Sequence, residues 1–267
     1  MVFPLGDDNR DRTSFPVVNV ILIVANVAVF LLLQGFGTND SFTLAFSAVP
    51  AEILSGRDVV TEDRQVQVQG VNGPEVYVIP GLKPTPIPVF LTLLTSIFMH
   101  GGLAHIAGNM WFLWIFGDNI EQDLGRGRYL VFYLICGILA SLAHVFLSAS
   151  GPSAQIPSLG ASGAISSVMG AYLLLHPKRR VTVLVVRMVM DVPGYVAVGL
   201  WFLFQIISGL GVLGGMQSGV AYGAHIGGFL AGLALAKPFM LGRPPGIGSR
   251  ESYGKVRWGR DGTNREE

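Results

Sequence analysis

The chain has 267 residues, of which 51% are hydrophobic and only 13% charged. An ordinary soluble domain carries roughly 25% charged residues, so the composition excludes a typical water-soluble globule and points to lipid. The net charge of +1 gives no sign of a nucleic-acid partner. The single cysteine, Cys136, excludes an intramolecular disulfide and a cysteine-based metal site.

A helix crosses a bilayer with about 20 mainly apolar residues, within roughly 17–25. Residues 1–16 form a mixed acidic and basic tail, and the first span follows at 17–34. No small-residue cleavage site comes after it, so it reads as a retained helix with no targeting peptide. A long external loop, about 35–101, comes next. Within it, residues 64–79 alternate polar and apolar, predicting a small hairpin, and residues 80–88 are proline-rich. Further spans are predicted at 102–117, 129–148, 162–176, 194–213 and 222–241. The 162–176 segment is short and rich in small residues. It fits a central helix that begins below the surface beside a wet pocket. The tail 242–267 is polar, glycine-rich and basic, as flexible segments are.

Lysine and arginine set the orientation. Fifteen of the 18 basic residues fall on one side: in the two tails, in the two connections that follow the second and fourth spans, and, for Lys237, at the end of the sixth span. The other three (Arg57, Arg64, Lys83) share the external loop with six acidic residues. The expected fold class is therefore an all-α membrane protein, a six-helix bundle spanning 17–241 with both termini cytoplasmic.

The second, fourth and sixth spans then run inward, which brings three polar motifs to a similar depth. These are His105 and Asn109 at the start of the second span, with His100 in the loop entering it; Ser162 and Gly163 at the start of the fourth, with Gly160 just before it; and His225, Gly228 and Gly232 in the sixth. Polar and ionisable groups are expensive in a membrane and are read first as functional. A serine hydroxyl is a weak nucleophile until a base takes its proton, and a histidine titrates in the range needed for that base. No acid residue lies at this depth, which favours a Ser162–His225 dyad over a triad. His105 and Asn109, four apart, share one helix face. With the Ser162 backbone N–H at a helix start, they are candidate donors to an oxyanion. Gly228 and Gly232 form a GxxxG face of the kind that lets two membrane helices approach closely. Gly160 and Gly163 flank the serine, where the chain turns and a neighbour comes near.

On these residues the sequence resembles the rhomboid family of intramembrane serine proteases, over roughly residues 88–235. Gly160–Gly163 matches GxSG. His100, His105 and Asn109 match HxxxxHxxxN, and Ala224–Gly228 matches AHxxG. Glu121 and Gly125 match the Glu-x-x-x-Gly turn after the second span. The resemblance implies that Ser162 is the nucleophile and His225 the general base. It implies an oxyanion hole of His105, Asn109 and the Ser162 N–H, a structural His100, and no cofactor or metal. It further implies single-span membrane-protein substrates and a gate at the fifth span, here Trp201, Phe202, Phe204 and the stretch 209–219. The compact plan suggests a prokaryotic plasma membrane. The chain departs from some members in two ways: Ser166 stands where they carry an aromatic residue one turn after the serine, and a first-loop Trp-Arg pair is absent.

Bland readings accompany these. His144, late in the third span, and His176, at the cytoplasmic end of the fourth, read as non-catalytic. Trp111, Phe112, Trp114 and Phe116 read as packing residues. Asp118, Glu121 and Asp123, with Arg126 and Arg128, read as a solvated or capping cluster, Glu121 bracing the loop. Two other functions compete: a non-catalytic binder of membrane clients, and a metal site using His100, His105 and His225. The five-residue step across Gly101-Gly102 is unlike a helical HExxH pair.

Overall fold

The computed structural model describes residues 2–70, 73–210 and 221–242. Six longer helices occur where the sequence predicts spans. The first, α1 (Val17–Ala28), continues through a π-helical turn, Val29–Leu33. The long loop after it holds two short helices, α2 (Asp40–Ala45) and α3 (Pro50–Ser55). It also holds the expected hairpin, β2 (Arg64–Gly70) with β3 (Gly73–Ile79), paired antiparallel from Arg64↔Ile79. After α4 (Thr92–Thr95) and two flanking 3₁₀ turns, the chain bends by 78° into α5 (Leu103–Leu124). Gly125, at φ +78°, separates α5 from α6 (Arg126–Leu147). The remaining helices are α7 (Ser162–Leu175), α8 (Gly194–Gly209) and α9 (Tyr222–Met240). The predicted end of the fifth span at 213 lies outside the described residues.

Among the described residues only α6 is by itself long and apolar enough to cross a membrane. With its 14 residues α7 is about 21 Å long, well short of a hydrocarbon core of about 30 Å. Every residue from Gly163 to Tyr172 is buried. The short fourth segment is thus the central helix, wrapped by its neighbours.

Packing of α7 against α9 depends on missing side chains. A Cβ on Gly228 would run into the Gly163 carbonyl oxygen, and one on Gly232 into the Ser167 carbonyl oxygen. From the other side, a Cβ on Gly170 would meet the Phe229 carbonyl oxygen. The two backbones touch, as a GxxxG face permits, and the start of α9 comes to lie beside the start of α7.

A sheet was not anticipated by the all-α reading. It consists of β1 (Val2–Asp7), β4 (Arg180–Val185) and β5 (Met188–Pro193), all antiparallel in the order β1-β4-β5. It ties the first residues to the α7–α8 connection. Phe3 stacks on Trp111 with ring centroids 6.1 Å apart, and Trp111 Nε1 donates to the Pro4 carbonyl at 2.8 Å. The Asp7 carboxylate accepts from Asn119 Nδ2 (2.8 Å) and the Tyr172 hydroxyl (2.9 Å). Burial pushes its pKa above the usual carboxylate range, although Tyr172, Arg179 and Asn119 pull it down.

The acidic cluster at the end of α5 is not solvated, as one expected alternative had it. Asp118, Glu121 and Asp123 are 3%, 4% and 3% exposed. Glu121 accepts from the backbone N–H groups of Val18 (3.1 Å) and Asn19 (2.7 Å), satisfying two of the unpaired donors that open α1. This carboxylate caps the start of α1 and clamps it to α5. Asp123 meets the buried His176 ring at 2.7 Å.

Introducing bulk on the α7–α9 seam should therefore be costly. Gly232→Leu is expected to lower stability by about 1–3 kcal/mol or more. Leu230→Ala, at an exposed position of the same helix, should change it little. Reversible unfolding of the two variants in lipid or detergent reads the contrast.

Candidate active site

Ser162 is the first residue of α7, and the loop before it is fixed from two sides. Gly160 N–H donates to the Ser96 carbonyl at 2.8 Å, and Ser158 forms an antiparallel bridge with Ala48 of the long first loop. Gly160 itself has φ +121°, a conformation side-chain-bearing residues rarely adopt. A Cβ there would lie 2.9 Å from Cε1 and Nε2 of His105. The glycine leaves room for that ring beside the serine.

His225 lies in the first turn of α9. Its Nε2 is 2.7 Å from Ser162 Oγ, and its Nδ1 is 2.8 Å from Gln205 Oε1 on α8. The Trp201 ring is 6.1 Å from the imidazole at 37°, and the Tyr222 ring 6.2 Å away at 84°. These groups on α8 and α9 hold the ring. Ser166 does not, since its hydroxyl donates to the Ser162 carbonyl at 2.6 Å. The question raised by the missing aromatic thus has an answer in Gln205 and Trp201.

His105 and Asn109 project from α5 towards the same place. Gly101 N–H donates to His105 Nδ1 at 3.3 Å, a long bond that leaves the ring proton on Nε2. Asn109 Nδ2 is buried and has no partner among the described groups. An unsatisfied amide donor costs about 1–3 kcal/mol, so its position beside the serine calls for an acceptor. His105, Asn109, Ser162, Trp201, Gln205 and His225 all line one open cavity of about 1220 Å³. No Asp or Glu is among its described lining residues.

Other residues singled out in the sequence fall elsewhere. His100 is buried outside this lining, packing edge-on against the His105 ring at 5.2 Å. Gln34 holds the segment around it, accepting from His100 N–H and donating to the His100 carbonyl, each at 2.9 Å. His176 pairs with Asp123 away from the cavity, whereas His144 lines it. Of the gate residues, Trp201 lines the cavity, and Phe202 stacks on Phe229 with centroids 3.9 Å apart. The stretch 211–219 lies outside the described residues. Sequence reasoning missed Gln205. Its signal was available: it is the sole amide or charged side chain in α8 and lies four residues after Trp201, on the same face.

A family profile for the Rhomboid domain matches residues 89–241, more than half of the chain. The chain belongs to the rhomboid family. Members of this family are integral membrane proteins, and so is this chain. It is 35% identical over 158 residues to the rhomboid protease GluP of Bacillus subtilis (strain 168), covering 59% of this chain and 28% of that protein. It is 32% identical over 142 residues to the mitochondrial presenilin-associated rhomboid-like protein of Bos taurus, covering 47% and 37%. To the mitochondrial RHOMBOID-like protein 12 of Arabidopsis thaliana it is 34% identical over 100 residues, covering 33% and 30%. The match thus spans well under half the length of each of these relatives.

Gly160→Ala tests the local geometry. The added methyl meets His105 and must adopt a disfavoured backbone conformation, a strain of about 1–3 kcal/mol. A lower thermal midpoint for the purified variant is the expected result.

Proposed function

We propose that this rhomboid-family chain is an intramembrane serine endopeptidase that hydrolyses peptide bonds of single-span membrane proteins. The observation that carries the reading is the 2.7 Å contact between Ser162 Oγ and His225 Nε2, opening onto a cavity that also receives Asn109 and His105. As Ser162 Oγ attacks the scissile carbonyl carbon, His225 Nε2 takes its proton. The carbonyl oxygen becomes an oxyanion and accepts from Asn109 Nδ2, the His105 Nε2–H and the Ser162 backbone N–H. The tetrahedral intermediate collapses, and the imidazolium returns its proton to the leaving amine. A water in the cavity, deprotonated by the same nitrogen, then attacks the acyl-enzyme, and Ser162 is regenerated with release of the new carboxylate.

The same reading assigns the six longer helices to six crossings. Both tails lie on the cytoplasmic side of a prokaryotic plasma membrane, and residues 17–241 form the catalytic domain. The orientation is supported by the distribution of basic residues. It places Ser162, at the start of α7, towards the outer leaflet, and lets the cavity admit water although the bundle lies in lipid.

Cleavage of a single-span reporter by the purified chain in liposomes tests the proposal. Ser162→Ala should reduce cleavage to background. Asn109→Ala, with two other donors remaining, should lower kcat about 10- to 100-fold, somewhat less than the loss of a principal oxyanion donor. Undiminished cleavage by Ser162→Ala would remove the reading.

A further inference from the structure

Resting on the peptidase reading, we infer that Gln205 is a positioning residue of the reaction. Its side-chain carbonyl accepts the Nδ1–H of His225 and thereby fixes the tautomer whose Nε2 lone pair faces Ser162.

The argument starts from the imidazole. Neutral histidine carries one proton, on one of two nitrogens. General-base catalysis needs Nε2 bare, because that nitrogen must accept the Ser162 proton. The proton then sits on Nδ1, and a buried N–H requires an acceptor. In a Ser-His-Asp triad a carboxylate fills this place and orients the ring. Here no Asp or Glu lines the described cavity, and the atom at Nδ1 is Gln205 Oε1, 2.8 Å away. The reverse orientation of the amide would donate to Nδ1 and move the ring proton to Nε2. The serine hydroxyl would then face an N–H and have no base.

Gln205 is suited to the task by its setting. It is 7% exposed and stands in a helix otherwise free of amides and charges. A polar side chain at such a position is expensive unless it is paired, and its partner is the one ring that has to be oriented. Trp201, one turn earlier on the same face, sets its ring 6.1 Å from that imidazole, tilted by 37°. Thus α8 supplies both a wall and a hydrogen-bond acceptor for the imidazole. After proton transfer the imidazolium keeps the same bond to a neutral acceptor, so no buried carboxylate has to be desolvated beside it.

Two measurements on the full chain in liposomes or detergent test the inference. In reporter cleavage, Gln205→Leu removes the acceptor at nearly constant volume. It should lower kcat about 10- to 100-fold, within the range that general-base assistance contributes, with KM nearly unchanged. Gln205→Glu, which keeps an oxygen acceptor at the same place, should recover most of the loss. Nitrogen-15 NMR of histidine-labelled protein reads the tautomer directly, with the His225 signals assigned by their absence in His225→Ala. Wild type should show a protonated Nδ1 and a bare Nε2, and Gln205→Leu a mixture of tautomers. If Gln205→Leu fails to fold, Gln205→Asn, which withdraws the carbonyl by one methylene, takes its place with the same expectations. A kcat within twofold of wild type, or an unchanged tautomer in the variant, overturns the inference. Failure of the peptidase reading is a separate result: cleavage would then not depend on Ser162, while the nitrogen signals would still report on Gln205.

Discussion

The arrangement rests on one steric constraint, the contact of two helix backbones where α7 and α9 cross. Gly228 and Gly232 press against the carbonyls of Gly163 and Ser167, and Gly170 against that of Phe229. Lipid offers no hydrophobic drive for helices to associate, so such close van der Waals contact is a main source of cohesion. It also fixes the distance between the helix starts. Ser162 and His225 are 63 residues apart in sequence, and a side chain anywhere along the seam would widen the 2.7 Å gap between them. Cohesion and chemistry therefore depend on the same missing atoms.

Away from the cavity several buried polar groups that hold the bundle are paired. Glu121 receives the first turn of α1, and Asn19 links α1 to the Leu113 carbonyl and to the Tyr129 hydroxyl. Asp7 joins β1 to α5 and α7 through Asn119 and Tyr172, and Arg179 binds Asp11 through two nitrogens at 2.8 and 2.6 Å. Removing one partner of such a pair leaves the other desolvated and unsatisfied, which costs more than the bond itself contributes. At the other end, the buried Asn109 amide nitrogen has no partner among the described groups, in a residue that lines the cavity with Ser162. Paired groups at one end and a donor without a partner at the other are what a preorganised site requires.

Much of this was legible in the sequence. Apolar runs marked all six helices, because the helix period and the lipid requirement act locally. The hairpin at Arg64–Ile79 was legible from its alternation, and the short fourth segment from its small residues. The three-stranded sheet was not. In β1, Pro4 and Gly6 interrupt the strand pattern, and its partner β4 lies some 180 residues away; such pairing carries no local signal. The burial of Asp118, Glu121 and Asp123 was hidden for a related reason, since their partners come from α1, the N-terminal segment and the end of α7. At the site, Ser162, His225, His105 and Asn109 were legible as a constellation. Gln205 was legible only as an isolated amide in an apolar helix, and nothing local says that it meets a ring 20 residues further on.

The central claim is that the imidazole of His225 makes the Ser162 hydroxyl a nucleophile. Intact-mass and peptide mapping of the full chain after reaction with a fluorophosphonate probe tests this most directly. The account predicts a single adduct on Ser162 that forms in the wild-type chain and is lost, or slowed by orders of magnitude, in His225→Ala. An adduct on another residue, or equal labelling of Ser162 without His225, would contradict it.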